Sequence, residues 1–394
     1  MTIAAPALDI DPFSDAFLGD PYPEHERLRE AGAVVWLDRY SIFASARHAE
    51  VQSALQDWRT FSSEAGVGLA DLRKDEVFRP RSIVLEVDPP LHDHTRPVLA
   101  TALSPAALRE LRPTFEAEAE RLVDALARRG SFDGVTELAE VYPIKVFADA
   151  LGLRPDGREN LLPYAAAVFN DFGPHNHLYE ETRRNADAVR DWVVAQCRRE
   201  ALRPGSLGAR VFEAADRGEA SEEEAHVLVR SLLTAGLDTT VYGLGNALFS
   251  LATHPEAWAQ LRENPGLARS AFEEVLRFEA PVQTFFRTTA CETELGGVAL
   301  PQDAKILLFL GAANRDPRRW EAPETFDIRR KASGHVAFGY GIHACVGQTV
   351  ARLEGEVVLA ALARRIERLD LVGAPVRRMN NTLRGLAHLP LRAS

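Results

Sequence analysis

Apolar residues return every three or four positions over about 105–129, 133–151, 180–203, 221–252, 255–278 and 347–369. That is the spacing of one buried helix face, and "YPEHERLREAG" adds a shorter helix near the start. Strict alternation is confined to short runs. "AVVWLD" and "YSIFAS" predict a hairpin, "FFRTTA", "TELGGVAL" and "KILLFL" predict brief strands, and the tail alternates weakly. No Gly/Ser linker, repeat period or low-complexity run divides the chain. The pattern predicts one mainly α domain over 1–394 with small β-sheets at one side.

The 221–252 segment starts with a capping box, Ser221 with Glu224, and ends before Pro255. As one helix it would run roughly 45 Å, enough to put its middle near the centre of the fold. That middle reads "LLTAGLDTTV", residues 232–241. Gly costs up to about 1 kcal/mol there relative to Ala, and Asp and Thr are weak helix formers. Ser231, Thr234, Ala235, Asp238 and Thr239 are expected to share one face, small and polar where a buried helix should be apolar. Either a close helix contact or a chemical site selects such a face.

A formal net charge of -11 argues against general nucleic-acid binding. The first residues lack a signal-peptide pattern and no apolar run approaches the roughly 18 residues of a membrane span, so a soluble, cytoplasmic protein is expected. Cys197, Cys291 and Cys345 are odd in number and widely spaced, which predicts no disulfide framework. Any cysteine used chemically works alone.

One of them sits in "FGYGIHACVG", residues 338–347. Gly339, Gly341 and Gly347 permit a tight loop around Cys345, and the helix that follows is expected to lower its thiol pKa. The stretch resembles the haem-binding signature of the cytochrome P-450 superfamily, the haem-thiolate monooxygenases. "EEVLR", with Glu274 and Arg277, "NRDPRRW", "FDIRR", with Arg330 as third member of a Glu-Arg-Arg network, and "AGLDTT" resemble further family elements in the family order. The resemblance implies the cytochrome P-450 fold and haem b, with Cys345 as the axial ligand of iron. It also implies propionate partners at His92, Arg96, Arg287 and His343, with His94 a competitor for the place of His92. Thr239 would supply a hydrogen bond during dioxygen activation and Asp238 would relay protons. Without a fused electron-transfer domain, electrons are expected from a [2Fe-2S] ferredoxin and its NADH- or NADPH-dependent reductase. The pairs Arg318-Arg319, Arg329-Arg330 and Arg364-Arg365 would supply positive charge for its docking on the cysteine side.

Three stretches bear on the substrate. "FRPRSIVLEVDPP" offers Arg79, Ser82 and Leu85; "VRSLLTAG" offers Arg230, Ser231, Thr234 and Ala235; "AAAVFNDFG" and "PVQTFFR" offer Phe169, Phe172, Val282 and Phe285. Arginines and hydroxyls at one end, aromatics in the middle and iron at the other describe a slot for a flat acid. The set is similar to that of the bacterial subfamily that oxidises para-substituted benzoates, including O-demethylation of 4-methoxybenzoate. The alternatives are another small hydrophobic substrate, a peroxide-driven enzyme of this fold, and a haem protein that binds ligands without oxygenating them. The Asp238-Thr239 pair argues against the last, since binding alone needs no proton relay.

Overall fold

The computed structural model describes residues 4–394. Helix Pro105–Arg129 matches its expected span. The Ser104 hydroxyl accepts the Ala107 N–H at its start, and Gly130, at φ 79°, closes its end. Helix Gln348–Arg365 packs along it, and helix Asp238–Thr253 lies behind both. The main core runs through these helices, with a smaller one under the sheet.

Three other long segments are broken. The 133–151 run opens as strand Ser131–Asp133 and a wide turn, Val135–Ala139, before helix Val141–Leu151. The 180–203 run divides into His177–Arg183 and Ala186–Gln196, with a turn at Arg199–Ala201. The 255–278 run divides into Pro255–Glu263 and Ala268–Phe278, because Pro265 has no N–H to continue the ladder. Helices Leu91–Ala102 and Leu161–Asn170 complete the site's walls, and Leu207–Asp216 packs against the first of them. Leu161–Asn170 is buried nearly all round, so it has no polar stripe for periodicity to detect.

The hairpin forms as expected, with Trp36 opposite Phe43. Lys305–Phe309 adds in parallel to Ile42–Ser45, Thr284–Thr289 adds antiparallel to that strand, and Ala7–Leu8 and Phe61–Ser62 form the edges. Alternation along Thr284–Thr289 turns Phe285 and Arg287 toward the same interior cavity. Beneath it the expected charge network is assembled, with Glu274 and Arg277 fully buried and Arg330 at its edge. Arg277 donates to both Glu274 oxygens at 2.7 and 2.8 Å, Arg330 donates to the same carboxylate at 3.1 Å, and Arg277 also reaches the carbonyls of Asn314 and Pro323. Two arginines and several carbonyls around one carboxylate leave no uncompensated polar atom on its side of the network.

Candidate functional site

The long central helix is two helices, Glu222–Gly236 and Asp238–Thr253, interrupted at Leu237. The capping box at Ser221 is present as expected. Just before the break, Gly236 is held to glycine on steric grounds: a Cβ there would lie 2.6 Å from the Phe147 ring. The Thr240 N–H turns to the Leu237 carbonyl, and the Thr239 and Thr240 hydroxyls reach back to the carbonyls of Ala235 and Gly236 at 2.8 and 3.2 Å. The β-branched threonines thus serve the break instead of opposing a helix. The break also splits the expected polar face. Ser231, Thr234, Ala235 and Thr239 line one large cavity, whereas Asp238 is buried behind it.

Cys345 opens into that cavity opposite these residues. Ala235 and Cys345 both keep open surface deep inside the fold, because each faces the cavity and not bulk solvent. The loop at Cys345 needs its glycines. Gly339 and Gly341 have φ 68° and 72°, and a Cβ on Gly341 would meet the Leu55 carbonyl at 2.6 Å. The expected lowering of the thiol pKa is not what the structure gives. Burial pushes it up, opposed by the Gly347 N–H, Arg96, Arg352 and the Gln348 N–H. These donors suit a thiolate once a metal replaces its proton.

Arg96, Arg287 and His343 also line the cavity. Arg96 donates to the Ala344 carbonyl, and burial lowers Arg287 to about 10. His343 contacts Asp88 at 3.2 Å and the Val84 carbonyl at 3.2 Å. His92 is absent from the cavity lining. It stands 4.8 Å behind the His343 ring and contacts the Ile342 carbonyl at 3.1 Å, so it supports the loop. His94 points outward to Glu224. No cluster of three metal-ligating side chains occurs among the described residues, so Cys345 can ligate only a metal whose other positions a prosthetic group fills. A cavity with one thiol, flanking cations for anionic groups and a small-residue wall opposite fits haem.

The same cavity is lined by Arg79, Ser82, Leu85, Phe169, Phe172, Arg230, Val282 and Phe285. Arg79 is not the free cation expected. Its Nη1 donates to Glu86 at 2.7 Å, Asp171 faces its Nε at 3.5 Å, and its guanidinium lies 4.4 Å over Phe172 while Nη2 has no partner. Arg230 differs: the residue is largely buried, its side chain lines the cavity, and no ion pair or hydrogen bond engages its guanidinium among the described residues. The Ser82 hydroxyl accepts the Leu85 N–H at 3.1 Å and keeps its proton free to donate. Ser231 and Thr234 donate to the carbonyls of Val227 and Arg230, so they must turn to serve a ligand. Phe172 stands edge-on to both Phe169 and Phe285 at 5.7 and 5.8 Å, giving a rigid aromatic wall.

Sequence reasoning missed Glu86 and Asp171, whose acidic side chains gave no signal apart from proximity to Arg79 and Phe172 in the chain. It also missed the surroundings of Asp238. One Asp238 oxygen has no partner. Burial raises its pKa to about 7, with Arg378 opposing and Glu140 adding to the rise. Arg378 donates to Glu140 at 2.6 Å, and both are partly exposed.

The model of the cytochrome P450 family matches residues 159–390. Cytochrome p450 CYP199A2 of Rhodopseudomonas palustris is 54% identical over 388 residues, covering 98% of this chain and 94% of the relative. Cytochrome P450 CYP109Q5 of Chondromyces apiculatus superposes with a TM-score of 0.83 at 32% identity, with 98% of each chain covered. Cytochrome P450 CREJ, solved in complex with (4-ethylphenyl) dihydrogen phosphate, superposes with a TM-score of 0.88 at 27% identity, covering 98% of this chain and 99% of the other.

Proposed function

The chain belongs to the cytochrome P450 family and is a haem monooxygenase; from that premise we propose that its substrate is a para-substituted aromatic carboxylic acid of the 4-methoxybenzoate kind. The observation that carries this reading is Arg230, a largely buried arginine without an anionic partner in a cavity walled mostly by apolar side chains. A buried charge is costly unless paired, so this cation calls for an anion from outside the chain. The ligand of the CREJ complex has the same division into anionic head, ring and para alkyl group.

In this reading Arg230, the free Nη2 of Arg79 and the Ser82 hydroxyl receive the carboxylate, and Ser231 joins after rotating from Val227. Phe169, Phe172 and Phe285 clamp the ring, with Leu85, Val282, Thr234 and Ala235 around its para end. A fixed acid head and a rigid wall aim that end at the cysteine side. Cys345 would hold the haem iron, and Arg96, Arg287 and His343 would hold its propionates. Haem, when bound, supplies dioxygen activation with two electrons. Thr239 offers a hydroxyl at the reacting end, and Asp238 holds a proton that the Glu140 carboxylate, held by Arg378, passes on toward solvent. The donor is a [2Fe-2S] ferredoxin reduced by its reductase, and the enzyme works in the cytoplasm. Among the described residues no helix is long and apolar enough to cross a membrane.

The test compares 4-methoxybenzoate with methoxybenzene in optical titrations of the haem-loaded protein. A site built for the acid should prefer it by about 10⁴-fold, since the neutral analogue leaves Arg230 unpaired. Arg230→Ala should abolish most of that preference. Equal affinity for acid and neutral analogue would discard the aromatic-acid assignment and leave the monooxygenase.

A further inference from the structure

Lys305, the first residue of strand Lys305–Phe309, belongs to none of the groups above. Its ammonium donates to four backbone carbonyls of one loop: Ala65 at 3.0 Å, Gly66 at 3.3 Å, Gly68 at 3.0 Å and Ala70 at 2.9 Å. Four carbonyl dipoles converging on one point repel each other unless a cation stands between them. The chain curls to make this cage, with Gly66 at φ 91° and the Leu72 N–H closing back on the Ala65 carbonyl.

The outer side of the same loop touches the cavity wall. The Leu69 N–H donates to the Phe172 carbonyl at 2.8 Å, and the Phe286 N–H donates to the Val67 carbonyl at 3.0 Å. A Cβ on Gly68 would lie 2.9 Å from the Phe172 backbone, so the two segments are in direct contact. The Val67 N–H also reaches Glu86, the carboxylate that holds Arg79. One loop therefore abuts the aromatic wall and the acid-binding end.

We propose that Lys305 is a positioning residue for substrate selection, a tethered cation that curls loop 65–70 and so sets the place of Phe172 and, through Glu86, of Arg79. The proposal rests on the cavity being the substrate site. It assigns Lys305 no contact with substrate. The ammonium does the work that a monovalent metal ion does in a carbonyl cage, but its strand anchors it, so the cage stays filled without a free ion. Truncation of the side chain leaves a carbonyl cage able to take a small cation from solution.

The experiment uses the haem-loaded protein and the variants Lys305→Ala and Lys305→Met. In Lys305→Ala, exchange of the Leu69 and Phe286 amides should quicken roughly tenfold or more, while amides of helix Pro105–Arg129 keep their protection. KM for 4-methoxybenzoate should rise about tenfold with a smaller change in kcat, because positioning and not chemistry is lost. Ammonium or potassium should restore both, and tetramethylammonium at equal ionic strength should not, being too large for the cage. Wild-type exchange and KM in Lys305→Ala would overturn the proposal. So would losses that ammonium and potassium leave uncorrected, or that tetramethylammonium corrects equally. Should Lys305→Ala not fold, Lys305→Met retains apolar bulk, and its Leu69 exchange alone decides: faster than wild type supports the cage, unchanged overturns it. Failure of wild type to bind 4-methoxybenzoate would sink the substrate reading, while the exchange result would still report on the cage.

Discussion

Burial disfavours the charged form of Asp238 and pushes its pKa in the folded chain up to about 7 from an ordinary 3.8. Its sign follows from linkage: between those values the folded chain keeps a proton that the unfolded chain has lost, so this group's stabilisation is complete below about 3.8 and is lost as pH rises through 7. Asp238→Asn removes the titration. The variant should therefore gain on wild type by a few kcal/mol as pH is raised from about 4 to 7, as measured by denaturant unfolding at each pH. In turnover the same substitution should slow product formation by about 10²-fold and flatten the pH profile near 7, since Asn cannot exchange the proton. Thr239→Ala should leave electron consumption but lower the share that ends in product. Wild-type coupling and pH dependence in both variants would reduce this pair to packing. Arg79 and Arg230 illustrate why residue type alone misleads. Both are buried arginines lining one cavity, yet Glu86 and Asp171 already meet Arg79 while Arg230 meets neither. Arg79→Ala should cost about 3–5 kcal/mol of stability by stranding two acids, whereas Arg230→Ala should cost affinity for the acid with little change in Tm.

The break at Leu237 has its own energetics. Gly236 lets the Phe147 ring pack against the end of helix Glu222–Gly236, and any side chain there meets the ring at 2.6 Å. Gly236→Ala should cost about 1–3 kcal/mol by overpacking, although Ala is the better helix former. It should also shift Thr239 relative to the cavity and raise uncoupled electron use. A variant more stable than wild type would show that propensity, not the ring, governs this position. The helix was legible as an amphipathic segment with a capping box, and its odd centre was legible as a site. The break was not, because periodicity reports which side is buried and not where the backbone ladder is interrupted. The same limit hid helix Leu161–Asn170, whose buried sides leave no stripe, while helix Pro105–Arg129 was read to the residue because solvent covers one face.

Across the whole molecule, four arginines of the expected pairs are held in ion pairs, while Arg319 and Arg329 are exposed without one among the described residues. Arg318 is tied to Glu30 and Asp316, Arg364 and Arg365 to Glu120, and Arg330 to Glu274. Around the hollow outside the cysteine loop, the exposed side chains of Arg269, Arg329 and Lys331 stand without an ion pair among the described residues, beside exposed Tyr340. These three put positive charge on one face of a chain whose net charge is -11. Changing all three to Glu should slow reduction by an acidic ferredoxin about tenfold or more at low salt and remove most of the salt dependence of that rate. A reduction rate indifferent to both the substitutions and salt would remove electrostatic docking from the account.

Taken by itself, the sequence determined the family, the cysteine loop, the Glu274–Arg277 pair with Arg330 and the set of side chains around the cavity, because each depends on residue types at short, fixed spacings or on a motif order. Tertiary structure alone decided which charges are free. Arg79 against Arg230, His92 against His343 and the paired against the unpaired arginines of the cysteine side differ only in partners that lie far away in the chain or on other elements. A charge is neutralised through space within a few ångströms, and the fold, not the chain order, sets that distance.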